Sequence, residues 1–202
     1  MRFYLIFFAV LTSFFSCTEE QSFEGKKRRI SYQNCDFSHV QTGDIVLKRG
    51  FGKVSRMITQ GFNEKVPISH CGIIVCTKDS NFIVHSVSSG LSKIDGVQTI
   101  LFKNFLDDCQ SNYFYVVRKK INKNQLQAFA NKALEFSQKQ IPFDHEADND
   151  LKNKMSCTEL IYWCQKETFG YSDINTKSIA GKEIFVFNGL LDTSKYKIIY
   201  HY

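Results

Sequence analysis

The chain has 202 residues, 43% hydrophobic and 23% charged, with only two prolines and a net charge of +6. This is a globular composition, long enough for one ordinary domain with a buried core, and no internal repeat or low-complexity tract interrupts it. Basic residues are scattered apart from Lys26, Lys27, Arg28 and Arg29, and no RNA- or DNA-binding motif is present, so nucleic acid is not an expected partner.

The opening "MRFYLIFFAVLTSFFSC" carries one positive charge at Arg2, then an uncharged apolar stretch from Phe3 to Phe15. Thirteen residues fall short of the ~20 that a helix needs to span a bilayer. They fit the apolar region of a secretory signal. Ser16 and Cys17 close the stretch and resemble the end of a bacterial lipoprotein signal, although Phe14 and Phe15 stand where an aliphatic and a small residue are usual. A lipid on Cys17 is the expectation; a plain cleaved signal and an uncleaved anchor are the alternatives. The chain then divides into a signal over 1–16, a polar tether over 17–34 and a single domain over 35–202. A monomer held by its N-terminal lipid at the bacterial cell envelope, periplasmic or surface-exposed, is expected.

"TGDIVLKRG" reads as a turn followed by a strand, with Asp44 fixing the entry. "GKVSRMITQGF" is a short helix with Val54, Met57 and Ile58 on one face. "VPISHCGIIVCTKDSNFIVHSVSSG" reads as a hairpin with the polar turn "KDSN". If Thr77 opposes Phe82, Ile74 opposes His85, and His70 shares that face. "GVQTILFKNFL" and "NYFYVVRKK" read as a further strand and its neighbour. From Asn122 to Gln140 the apolar residues fall at helical spacing (Leu126, Phe129, Ala130, Ala133, Leu134), and Pro142 stops the helix. A polar loop follows, then "MSCTELIYWC", then the final strand "YKIIYHY". Strands first and helices later, with little alternation, give an α+β fold.

Ser156 and Glu159 have the spacing of a capping box, which puts Cys157 at the first helical position. There the free backbone N–H groups and the positive end of the helix dipole favour an anion, so a thiol would ionise more readily. Cysteine is also among the most buried residue types, and an inert core thiol is the competing reading. A thiolate nucleophile needs an imidazole beside it, itself oriented by a partner. His70 and His85, side by side on one sheet face, offer both; each alone would read as a half-buried strand histidine. His39, His145 and His201 lie before the first strand, in the polar loop and near the end.

Seven cysteines in an exported chain raise the question of disulfides. Without Cys17 and Cys157 an odd number is left, which is not the pattern of a stapled mini-domain, and one or two bridges stay open. Cys71 and Cys76 are an odd distance apart on one strand and face opposite sides. For the same reason His70, Cys71 and Cys76 make a poor metal site, and neither a metal nor another cofactor is expected.

"GDIVL", "SHCGIIV…FIVHS" and "CTEL" together resemble the circularly permuted branch of the NlpC/P60 papain-like superfamily, the YiiX/YaeF-type amidases, over about residues 42–169. The resemblance implies an antiparallel sheet packed on a few helices, one of which bears the nucleophile. It implies Cys157 as nucleophile, His70 as general base and His85 in the orienting place. "IPFDHEAD" resembles the family's "YD" element, with Phe143 where a tyrosine hydroxyl usually lies close to the nucleophile. Backbone N–H groups at the helix start would form the oxyanion hole. Ser156 and Ser69 stand near the site, Ser69 with the plainer reading of a strand-edge hydroxyl. Trp163 reads as core rather than as a substrate platform. The implied activity is hydrolysis of a small amide, of peptidoglycan-peptide or acyl-amino-acid type, through an acyl-enzyme. A lipid acyl hydrolase or acyltransferase shares that chemistry, and a non-catalytic envelope-binding module is the third reading. Segments 61–67 and 86–95 are the expected specificity rim.

Overall fold

The computed structural model describes residues 29–146 and 152–202. The expected signal, Cys17, the tether up to residue 28 and residues 147–151 of the polar loop lie outside the described residues. In chain order the elements are β1 (Ile45–Lys48), α1 (Lys53–Phe62), β2 (His70–Cys76), β3 (Asn81–Val87), β4 (Gly96–Leu101) and α2 (Phe102–Leu106). They continue with β5 (Phe114–Lys119), α3 (Lys123–Gln138), α4 (Cys157–Phe169), β6 (Asn175–Ile179), β7 (Lys182–Val186) and β8 (Tyr196–His201). An antiparallel sheet runs β4-β3-β2-β1-β5-β8, and β6 pairs with β7 apart from it. The fold is α+β, as expected.

Both faces of the sheet are covered. On one, Ile45, Leu47, Ile73 and Val84 pack against Phe129 and Ala133 of α3 and Leu160 and Ile161 of α4. On the other, Val46, Ile74 and Ile83 meet Phe102 and Phe105 of α2. Strand alternation divides the residues this way, and Cys71 and Cys76 fall in opposite clusters. Helix α3 starts at a capping box: Asn122 Oδ1 accepts the Gln125 N–H at 2.9 Å, and Gln125 Oε1 accepts the Asn122 N–H at 3.2 Å. Its apolar stripe of Leu126, Phe129, Ala130 and Ala133 is buried. Gly43, at φ +91°, lies so close to α3 that a Cβ would stand 2.4 Å from the Leu126 carbonyl oxygen. Asp44 beside it is buried and takes two bonds from Arg118, at 2.7 and 2.8 Å, plus the Gln41 N–H at 2.9 Å. The turn residue is therefore also an ion pair that ties β1 to β5.

Four expectations change. The hairpin pairs Cys76 with Asn81 and Ile74 with Ile83, two residues away from the expected register. A two-residue shift preserves parity, so His70 and His85 still share a face. "FKNFL" is the helix α2, with Phe102, Phe105 and Leu106 turned inward. β4 and β5 are not neighbours: β4 pairs with β3 at one edge, and β5 lies between β1 and β8. On α1, Ile58 packs against the core while Val54 and Met57 face outward. The β6–β7 hairpin escaped notice because β6 is mostly exposed and carries little apolar alternation. The six described cysteines are all free thiols.

Candidate active site

The start of α4 is held from three directions. Ser156 caps it: its Oγ accepts the Glu159 N–H at 3.4 Å, and Glu159 Oε2 accepts the Ser156 N–H at 2.7 Å. From β3, the Ser86 hydroxyl donates to the Met155 carbonyl at 2.5 Å. From β2, the Cys71 S–H donates to the Cys157 carbonyl at 3.2 Å. Cys157 is thus the first helical residue, half-buried, at a helix start that cannot drift from the sheet.

On the opposite sheet face, His70 Nε2 and His85 Nδ1 are 2.8 Å apart. Gly72 permits this: a Cβ there would meet Val84 O at 3.0 Å and His85 Cβ at 3.2 Å. The Phe105 ring stacks on His70, with centroids 5.4 Å apart, and presents an edge contact to His85. Lys48, the cross-strand partner of His70, is only 8% exposed. Its Nζ donates to the Phe105 carbonyl at 2.6 Å and sits 4.4 Å from the centre of the Phe105 ring.

These surroundings set the protonation states. Burial pushes His70 well below the usual imidazole range, and the neighbouring His85 and the Lys48 charge push the same way. Burial, with Lys48, takes His85 down to about 3. Both imidazoles are therefore neutral at pH 7. One proton arrangement then leaves a lone pair on His70 Nδ1: His70 Nε2–H donates to His85 Nδ1, and His85 carries its proton on Nε2. That Nε2 is buried and has no partner among the described residues. The Cys157 thiol is lowered from its ordinary value, first by the neighbouring Cys71 thiol, against the effect of burial, with help from the backbone N–H groups of Cys71, Thr158 and Cys157. Cys71 is correspondingly raised, by burial and by its bond with Cys157.

A cavity of about 730 Å³ opens at one end of strands β1 to β4, walled also by α1 and α2, and Cys157, His70 and His85 all line it. No hydrogen bond joins Cys157 to His70 among the described contacts; such contacts often tighten only with substrate. Ser69 lines the cavity, but its hydroxyl accepts the Gly50 N–H at 3.0 Å and bonds Ser55 Oγ at 3.0 Å, so it anchors the loop entering α1. Phe143 also lines it, its ring centroid 5.0 Å from that of His145 in an edge contact and its N–H on Asp95 at 3.2 Å. Trp163 packs half-buried against the core and does not line the cavity. Residues from 86 to 92 form part of the wall, as expected; residues 61–67 do not, and α1 takes their place.

Sequence reasoning missed Lys48, Cys71 and His145 as neighbours of the site. Lys48 was within reach of a period-two reading, since it shares the parity of buried Val46 on β1. His145 carries no such signal: it reaches the cavity from a loop, tied to Asp95 at 3.3 Å.

A histidine hairpin that comes first and a cysteine helix that comes second, on one antiparallel sheet, define a permuted papain-like thiol hydrolase. The family model described as "Permuted papain-like amidase enzyme, YaeF/YiiX, C92 family" matches residues 39–189, and the chain belongs to that family of cysteine amidases. Among solved structures it is similar to that of metalloprotein yiiX from Escherichia coli O157:H7, at 14% identity and a TM-score of 0.66. The similarity covers 80% of this chain and 97% of that one, and it bears on the fold. The comparison with curated proteins gives no match.

Proposed function

We propose that the chain is an envelope cysteine amidase that cleaves a small amide with an apolar acyl part, acyl-amino-acid type, through an acyl-enzyme on Cys157. The observation that carries this reading is the shared cavity of Cys157 and the neutral His70–His85 pair. His70 Nδ1 takes the thiol proton as Cys157 Sγ attacks the amide carbonyl. Because His70 is held neutral, it acts as a base at the moment of attack rather than as one half of a resting ion pair. Backbone N–H groups at the start of α4 face the developing oxyanion; losing one such donor typically costs about 3 kcal/mol. His70 then protonates the leaving amine, and water releases the acid. His85 holds the His70 ring through Nε2–H and stays neutral. Ser156 supports the site through the cap, and Phe143 contributes apolar wall without a hydroxyl.

The similar Escherichia coli protein is described as a metalloprotein. Here His70 Nε2 and His85 Nδ1 point at each other, and among the described residues no three His, Cys, Asp or Glu groups are placed to hold an ion. The donor set does not fit a metal, and no step is routed through one.

A second reading, acyl hydrolysis or transfer on a lipid, draws on one observation: Val54, Ile58, Leu91 and Ile100 give the cavity an apolar wall. Attachment through a lipid on Cys17 belongs to the same proposal. The test incubates the protein with N-acyl amino acids of increasing acyl length, acyl esters and short peptides, then follows Cys157 by mass spectrometry. The expected result is an acyl adduct on Cys157 and a freed amine from the acyl amides, both lost in Cys157→Ala. Adducts from esters alone would move the assignment to the second reading, and an unmodified Cys157 with every probe would remove both.

A further inference from the structure

The cavity mouth has an unusual rim. On one side, α1 exposes Val54 (42%) and Met57 (69%), three residues apart and so on one helix face. On the other, the β3–β4 loop exposes Leu91 (62%) and Ile94 (56%). Val54 and Leu91 line the cavity itself, so the exposed tips continue its apolar wall outward. Scattered exposed apolar residues are ordinary, but here one member of each pair lines the same cavity, which puts both pairs beside its mouth.

Charge is arranged around these tips. Lys53, Arg56 and Lys93 are exposed in the same two segments. Asp95 is the one acid in those segments, and Glu64 follows the end of α1; both are partly exposed and bonded to backbone N–H groups. Asp95 accepts the N–H groups of Ser89 at 2.7 Å and Phe143 at 3.2 Å. Glu64 accepts those of Phe187 at 3.2 Å and Asn188 at 2.5 Å. Beside the start of α1, the exposed Asp108 accepts the Phe51 N–H at 2.9 Å, and Asp107 next to it is exposed; on α1 and the β3–β4 loop themselves the exposed tips are apolar side chains between cations. Such a surface matches the interface of an anionic bilayer, where apolar side chains enter the acyl boundary and Lys and Arg meet headgroup phosphates.

We propose that the rim of α1 and the β3–β4 loop docks on an anionic lipid bilayer, so that the cavity opens onto the membrane and takes an acyl-bearing amide from it. The substrate part rests on the amidase reading above; the docking does not. Met57, Leu91 and Ile94 enter the interface, while Lys53, Arg56 and Lys93 set the preference for anionic lipid. An apolar acyl chain leaving the bilayer then meets the Val54–Leu91 wall before its carbonyl reaches Cys157.

The test must separate this contact from any N-terminal attachment, so it reads the rim directly in the full chain. Met57→Trp and Leu91→Trp are made separately; the natural sequence has one tryptophan, Trp163, in α4. Each is mixed with phosphatidylcholine vesicles, with and without phosphatidylglycerol, whose acyl chains carry bromine. The expected result is blue-shifted emission at both positions, about halved by brominated lipid in the anionic vesicles. Adding Lys53→Glu, Arg56→Glu and Lys93→Glu is expected to abolish the quenching even where the chain still sediments with the vesicles. Emission at either position that ignores brominated lipid overturns the proposal. So does a blue shift that grows with protein concentration without vesicles, which marks a contact between copies. The readout is independent of turnover: quenching without acylation of Cys157 would remove the amidase reading and leave the docking, and the converse would remove the docking alone.

Discussion

Helices α3 and α4 begin with the same device. Asn122 with Gln125 and Ser156 with Glu159 are both reciprocal capping boxes, and each helix lays an apolar stripe on the same sheet face. What they present at the first helical position differs. α3 starts with Lys123, exposed to solvent. α4 starts with Cys157, half-buried, bonded through its carbonyl to Cys71 and set in a cavity with two imidazoles. The cap supplies a fixed helix start and a favourable end of a dipole in both cases. In the proposed function, only the histidine hairpin opposite makes one of them a place for chemistry.

Removing what stands opposite is the stronger way to break this comparison. Lys48→Met keeps the length of the buried chain but takes away the positive charge that faces His70 and His85. Protonation of both imidazoles becomes easier, so their pKa values rise. The acid limb of kcat/KM is expected to move to higher pH, by less than burial alone displaces it, with the plateau near neutral pH retained. The groups that face Lys48 in return, Asp107, Asp108 and Cys109, are left in place by this variant. An unmoved acid limb would show that Lys48 only fills space.

Removing the caps sharpens the comparison with a smaller effect. Asn122→Ala and Ser156→Ala should each cost about 1 kcal/mol of stability in chemical denaturation. Only Ser156→Ala should also slow alkylation of Cys157, because only that cap places a reacting atom. Equal effects of the two variants on the thiol would mean that the cap acts through global stability alone.

The same contrast explains how far the sequence could be read. The α3 stripe, the α4 cap and the shared face of His70 and His85 rest on local spacing, and all three stand in the structure. The face survived a wrong register because the error was two residues, and strand parity repeats every two. α2 was read as the end of the strand before it: Phe102, Phe105 and Leu106 have the i, i+3, i+4 spacing of a helix, but five residues are too short a run for that period to stand out. Strand parity could have put Lys48 on the histidine face, but not its contact with Phe105 of α2, and Cys71 was missed because its partner lies on α4, an element distant in sequence that no local pattern connects to it. The outward turn of Val54 and Met57 was equally illegible, since the spacing that defines an apolar helix face says nothing of what lies against it.

The central claim is that Cys157 and His70 work as a pair, and alkylation tests it most directly. The protein is treated with limiting iodoacetamide across pH 4 to 9, and the modified thiol is located by mass spectrometry, with His70→Ala in parallel. Cys157 is expected to react ahead of the other described cysteines and to stay reactive below the ~8.5 of an ordinary thiol, and His70→Ala is expected to slow it at every pH by removing the base, without moving the pH at which it ionises. A Cys157 that reacts like any other thiol, with or without His70, would contradict the account.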